Sequence, residues 1–498
     1  MLFNSINFLI FFPIASLIYF IFPAKIKYLW LLIISYFYYM CWNAKYALLL
    51  LFSTGVTYLS GFLMDYFEKS GDNSHQIKIR KKWCVAGSFF LNLSVLFLFK
   101  YFDFAVDNIN RLLSICRLSL ISPSFDPLLP VGISFYIFQA LSYTMDIYRK
   151  EIRAEKNFLK YALFVSFFPQ LVAGPIERSK NLLSQIHNVH SFNYKRMTEG
   201  LLIMLWGYFQ KLVLADRIAI FVDAAYGNPA AYPGCYLLLA SVLFAVQIYC
   251  DFSGYSLIAI GSARILGFSL MDNFHCPYLS ASVAEFWRRW HISLTSWFRD
   301  YLYIPLGGNQ KGPVRKYVNI LAVFLVSGLW HGAQWTYVIW GALNGLFQII
   351  GSVTKKGREK LCRNFHIHTD SIGHKCFRIL LTFILVDVTW IFFRAGSITE
   401  AFFILKNIFT VHNPWIFLDG SLYTLGLSQR QFWLMIFAIG ALIAGDILTY
   451  YKVPVIQILL KQDLWCRWLI YIGAAVFILI FGIWGAGYDA QAFVYFQF

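Results

Sequence analysis

Residues 317–354 read YVNILAVFLVSGLWHGAQWTYVIWGALNGLFQIIGSVT and contain no Asp, Glu, Lys or Arg. The stretch is long enough to enter a bilayer and return, since one crossing takes about 20 residues. His331 stands near its middle. An ionisable side chain at membrane depth is costly, so its default reading is functional. Trp330, Trp335 and Trp340 can wall a pocket around it, and Gly332, Gly341 and Gly345 permit close backbone approach. The competing reading is a histidine that hydrogen-bonds a neighbouring helix.

Composition widens this to the whole chain. Its 498 residues are 59% hydrophobic, 19% aromatic and only 13% charged, whereas a soluble domain carries roughly a quarter charged residues. So much apolar surface cannot hide in one water-soluble core, and the expected class is an all-α polytopic membrane protein. Residues 1–24 carry no charge, no basic residue precedes the apolar run, and no small-x-small site follows it. They read as an uncleaved first span. The net charge of +17 could suggest nucleic acid. The basic residues lie instead in short loops between apolar runs, as the positive-inside rule expects, so the expected partner is the lipid bilayer and not nucleic acid. The nine cysteines are scattered without a CxxC pair, which supports neither a disulfide framework nor a metal site.

Candidate spans fall near 5–24, 28–43, 46–64, 84–100, 127–145, 199–220, 232–250, 378–393, 432–450 and 467–486. With the stretches 161–176 and 317–354, about ten to twelve membrane helices are expected in one membrane domain, 1–498. It comprises N-terminal spans (1–126), a core (127–354) and C-terminal spans (355–498). Basic residues cluster at 25–27, 65–83, 146–160 and 355–363. Placing all four in the cytoplasm satisfies the span parity if the N-terminus is outside. Parity then requires 161–176, with Pro169 and Gly174-Pro175, to be re-entrant, and 317–354 to return to the cytoplasm. Residues 394–431 become the longest outward loop.

Residues 285–303, EFWRRWHISLTSWFRDYLY, are too charged to span. Phe286, Trp290, Leu294, Trp297 and Tyr301 recur at helical spacing with Arg288, Arg289 and Arg299 elsewhere on the wheel. That predicts one amphipathic helix at the cytoplasmic interface. Its arginines could simply bind anionic headgroups.

Here the residues become specific. QIYCDFSGYSLIAIG (247–261), EFWRRWHISLTSWFRDYLYIPLGGN (285–309) and GLWHGAQWTYVIWG (328–341) together resemble the membrane-bound O-acyltransferase (MBOAT) family, in its bacterial alginate O-acetyltransferase-like branch. MLFNSINFLIFFPI at the start, LPVGISFYIFQALSYTMDIYR (129–149), FFPQLVAGPIER (167–178) and WIFFRA (390–395) extend the resemblance over nearly the whole chain. It departs at Leu257, where alginate-type members carry an acidic residue. The resemblance implies helices ringed around a central tunnel, His331 of the WHG motif as the catalytic residue, and His291 of RRWHISL as the second one.

Histidine suits the task of a base for a hydroxyl proton, with a reference pKa near 6.5. Asp251, Asn309 and Gln334 are candidate orienters or oxyanion donors, and Asp251 could instead cap a helix. Arg288, Arg289, Arg299 and Lys311 could attract donor phosphates. Trp290, Trp330 and Trp335 complete the expected substrate-binding set, with no metal and no bound cofactor. The expectation is an O-acyltransferase in a bacterial plasma (inner) membrane. Its co-substrate would be acyl-CoA or an acyl-phosphopantetheine carrier. Its acceptor would be a hydroxyl of an extracytoplasmic polysaccharide, or an SGNH-type partner protein that completes the transfer. Two alternatives stay open: D-alanyl transfer to a wall polymer from a carrier-protein thioester, and a transporter or flippase.

Overall fold

The computed structural model describes residues 1–70, 73–122, 130–172 and 174–484, which are all-helical without a strand. Residues 127–129 of the expected 127–145 span and 485–486 of the expected 467–486 span lie outside the described residues. Among the described residues, seven helices are long and apolar enough to cross a membrane, and shorter apolar helices such as Ile6–Ile21 accompany them. Their outer faces are apolar. On the helix Leu464–Phe481, Trp465 is 71% exposed and Leu469 68%. Such a face is stable in hydrocarbon, where lipid replaces a protein partner.

Contacts divide the chain into two compact units, Met1–Leu201 with Ala259–Met271, and Leu202–Ile258 with the described residues from Asp272 onward. In the first, the 161–176 element is broken, as its Pro and Gly-Pro suggest. Helices Phe158–Ser166 and Phe168–Leu171 have 9 and 4 residues, too short to span, and every residue from Tyr161 to Val172 is buried. The break exposes backbone groups, and side chains satisfy them. The amides of Gln139 and Gln170 donate to the Phe164 carbonyl at 2.6 and 3.1 Å, and the Phe168 N–H donates to the Ser35 hydroxyl at 3.1 Å. Irregular backbone at membrane depth is tolerated under that condition.

Several expected boundaries move. The basic loop 65–83 shrinks, because helices run to Lys69 and restart at Ser74. Lys81 is thus helical and 5% exposed, ion-paired with Glu68 at 2.9 Å. The loop 394–431 contains a helix, Ile398–Thr410, capped by the Ser397 hydroxyl. The expected span 232–250 belongs to one 32-residue helix, Cys235–Leu266. It continues through Asp251 because that charge is paired inside the second unit. The single interfacial helix expected over 285–303 is also corrected. It is two helices, Val283–Arg289 and Ile292–Phe298, followed by a π segment, Arg299–Tyr303. The break falls at His291, which takes the left-handed conformation at φ +43°. Residues 273–275 take over the freed backbone groups: His275 N–H donates to the Arg289 carbonyl and Ile292 N–H to the Asn273 carbonyl, both at 2.9 Å.

The charge asymmetry gives a topology that labelling can read. In a chain freed of its native cysteines, Cys at the exposed positions Lys82, Lys156 and Lys360 should resist a membrane-impermeant thiol reagent added from outside. Cys at Leu418, 92% exposed, should react. Efficient outside labelling at position 156 would reverse the orientation.

Candidate active site

His331 is the last residue of the helix Gly312–His331, and the return arm is Trp335–Val353. The two arms pack at backbone contact. A Cβ on Gly328 would stand 2.3 Å from the Tyr337 carbonyl oxygen, and one on Gly341 2.3 Å from that of Phe324. Any side chain at either position would push the arms apart. The expected hairpin therefore forms, with His331 at its turn.

The His331 ring is 3% exposed and enclosed by aromatic rings. Trp330 and Trp340 lie edge-on at 4.9 and 5.0 Å between centroids, Phe393 at 5.6 Å and the His291 ring at 6.4 Å. Trp390 stacks behind Trp340 at 5.9 Å. Trp287 donates its indole N–H to the Asn344 side chain at 3.2 Å, which ties the Val283–Arg289 helix to the return arm.

His291 is fully buried and held by Asn273. The Ser293 backbone N–H, which can only donate, points to Asn273 Oδ1 at 3.4 Å, and the Ser293 hydroxyl donates to the same atom at 2.9 Å. Asn273 thus presents its carbonyl oxygen. His291 Nδ1, at 3.0 Å from that oxygen, must carry the proton, which leaves the lone pair on Nε2. Burial lowers the His291 pKa to about 3, so the ring is neutral near pH 7 and its Nε2 accepts hydrogen bonds rather than protons. At 6.4 Å between centroids, the two imidazoles cannot hydrogen-bond directly, since even nitrogens aimed at each other would stay beyond bonding length. An oxygen lying between them could touch both.

The other expected site residues separate. Trp330 joins the cage. Trp290 lies one layer behind, 5.1 Å from Trp390. Gln334 and Trp335 are exposed in the turn, and Phe393, with Trp390 behind Trp340, stands where Trp335 was expected beside Trp330 and Trp340. Asn309 is exposed; the buried asparagine of that region is Asn319, which donates to the Gly308 carbonyl at 2.9 Å and shapes the glycine turn. Arg288 is exposed, while Arg289 is paired with Glu285 at 2.7 Å and lies 5.0 Å over the Tyr450 ring. Asp251 neither caps a helix nor reaches the cage. It is mid-helix, 2.7 Å from Lys211. Asn273, Phe393 and Lys211 went unread in the sequence. Asn273 sits in an irregular stretch without a motif, and Phe393 reaches His331 only through tertiary packing.

The MBOAT, membrane-bound O-acyltransferase family, model matches residues 18–386. The chain belongs to the membrane-bound O-acyltransferase family. It is 37% identical over 410 residues to the probable alginate O-acetylase AlgI of Pseudomonas syringae, covering 80% of this chain and 74% of that one. It is 34% identical over 443 residues to the peptidoglycan O-acetyltransferase of Helicobacter pylori, covering 82% and 80%. Similarity to the teichoic acid D-alanyltransferase of Streptococcus thermophilus is weaker, 23% over 298 residues, covering 55% and 70%. The chain is thus a multi-pass membrane O-acyltransferase, which sets the transporter alternative aside.

The glycine contact in the acyltransferase hairpin is open to a direct test. Gly341→Ala should destabilise the protein by about 1–3 kcal/mol through overpacking, read as a lower thermal midpoint in detergent. Gly351→Ala on the same helix, with nothing within 4 Å of its Cβ, should not lower it. Equal midpoints for the two variants would refute the close approach.

Proposed function

We propose that this acyltransferase moves an acetyl group from a cytoplasmic thioester donor, acyl-CoA or an acyl-phosphopantetheine carrier, to a hydroxyl of an extracytoplasmic polysaccharide in a bacterial plasma (inner) membrane. The final acceptor is reached directly or through an SGNH-type partner protein. The observation that carries the reading is the enclosure of His331 and His291 in one aromatic cage at the turn of a charge-free hairpin. The acetylating relatives support acetyl as the group, and alginate and peptidoglycan as the acceptor class. The weaker likeness to D-alanyltransferases keeps D-alanyl transfer as the second reading.

In this mechanism His331 is the general base. Its neutral imidazole takes the acceptor hydroxyl proton as the oxygen attacks the thioester carbonyl carbon. The tetrahedral intermediate expels the thiolate, and the proton passes from the imidazolium to that sulfur. Atoms and charge balance without a metal or a covalent enzyme intermediate. His291, with its lone pair on Nε2, accepts a hydrogen bond from a neighbouring hydroxyl of the acceptor sugar and so orients it. Aromatic walls exclude water, which would otherwise hydrolyse the thioester. Exposed Arg288 attracts the donor phosphates.

The test is purified enzyme with radiolabelled acetyl-coenzyme A and either alginate or peptidoglycan fragments, scored for labelled ester. His331→Ala should insert like the parent and lose about 10²–10⁴ of the rate or more. His331→Gln keeps hydrogen bonding and approximate size but cannot exchange a proton near neutral pH. A base predicts collapse of its turnover at near-parental thermal stability. Retained turnover in the glutamine variant would remove His331 from the chemistry.

A further inference from the structure

Four charged side chains are buried together on the Phe209–Ala215 side of the second unit. Lys211 is 1% exposed, Asp251 1%, Arg217 4% and Asp216 8%. The Lys211 ammonium lies 2.7 Å from Asp216 Oδ1 and 2.7 Å from Asp251 Oδ1, and 5.5 Å over the Tyr255 ring. Arg217 donates to the Val213 and Phe481 carbonyls at 2.8 and 2.6 Å. Burying so much charge is expensive. Lys211 also sits in a π segment, Phe209–Ala215, and such one-residue insertions into helices recur at functional sites.

The lysine meets the Cys235–Leu266 helix where backbones touch. A Cβ on Gly254 would stand 2.8 Å from the Gly207 carbonyl oxygen and 3.1 Å from the Lys211 nitrogen. Asp251 and Tyr255 form one stripe of that helix, and Phe252 and Ser256 form the next. The second stripe holds His291. The Phe252 ring lies edge-on to the His291 ring at 4.6 Å and 89°. The Ser256 hydroxyl accepts from Asn273 Nδ2 at 3.1 Å, and Asn273 Oδ1 accepts the His291 Nδ1 proton.

We propose that Lys211 is a positioning residue for His291: through its ion pair with Asp251 it fixes the rotation of the Cys235–Leu266 helix, so that Phe252 and the Ser256–Asn273 pair hold the imidazole in one tautomer and one orientation. This rests on the reading of His291 as a participant in acyl transfer. Asp216 begins the following helix, Asp216–Gly227, and does not lie on the Cys235–Leu266 helix that carries Phe252 and Ser256. The two carboxylates are therefore equivalent for charge balance and unequal for catalysis.

That inequality is the test, made with acetyl-coenzyme A and the labelled acceptor named above. Asp251→Asn should lower kcat about 10–100-fold and leave the acetyl-coenzyme A KM within about twofold of the parent. Asp216→Asn should keep kcat within about threefold of the parent. Ser256→Ala leaves every charge in place and should lower kcat about threefold to tenfold, which keeps the idea testable should Asp251→Asn not fold. In a His291→Gln background, neither Asp251→Asn nor Ser256→Ala should lower turnover further, because their route to catalysis is already gone. Equal losses in the two carboxylate variants, or losses that multiply with His291→Gln, would overturn the positioning role. Parental turnover in His291→Gln alone would overturn the reading of His291 itself, and the proposal with it.

Discussion

The backbone contact at Gly328 and Gly341 is the constraint on which the aromatic cage around His331 depends. Hydrophobic attraction cannot hold helices together in hydrocarbon, because lipid is as apolar as their side chains. Close packing has to do it, and here a Cβ at either glycine would fall 2.3 Å from a carbonyl oxygen of the facing arm. The contact places His331 at a tight turn, brings Trp340 of the return arm against it at 5.0 Å, and leaves Phe393 to close the cage at 5.6 Å. Asn344, one helical turn beyond Trp340, then takes the Trp287 indole N–H and draws in the segment that carries His291.

A second constraint acts wherever the chain must not be helical. Each break frees N–H and carbonyl groups that no water can satisfy at depth. The protein answers with local polar partners: Gln139, Gln170 and Ser35 around Phe164–Phe168, and the 273–275 segment around Arg289–Ile292. In the second case the remedy also positions an imidazole. The segment that repairs the helix break supplies Asn273, which fixes the tautomer of His291. The left-handed backbone at His291 costs about 1–2 kcal/mol, and the surrounding hydrogen bonds keep it populated.

Much of this was legible in the residues. The charge-free run 317–354 announced the hairpin, Pro169 and Gly174-Pro175 announced the broken element, and the RRWHISL and WHG motifs announced the two histidines. What was not legible has a common physical cause. Helical periodicity through Phe286, Trp290, Leu294 and Trp297 is the same for a continuous helix and for one broken at His291, because the break is decided by hydrogen bonds from 273–275. Asp251 looked like the end of a span because its partner, Lys211, lies forty residues earlier, and charge pairing across the fold leaves no local signal. Gln334 and Trp335 sit within a few residues of His331 in sequence, yet a turn sends them to the surface. Phe393 and Trp390 arrive from a distant helix.

The distribution of charge fits the chemistry proposed for the cage. Transfer of an acyl group from a thioester to a hydroxyl moves one proton from oxygen to sulfur and leaves net charge unchanged. The base should therefore begin and end neutral, and a site without a fixed charge nearby disturbs it least. The rings around His331 supply that surrounding. The buried cations Lys211 and Arg217 are matched in number by Asp216 and Asp251, both carboxylates 2.7 Å from the Lys211 ammonium, so the cluster carries no net formal charge. Cations suited to a phosphate-bearing donor stay at exposed positions, as at Arg288. An unpaired charge inside the cage would bias the imidazole toward one protonation state and slow one half of the proton's path. Aromatic enclosure, with the buried charges neutralised inside their own cluster, avoids that bias.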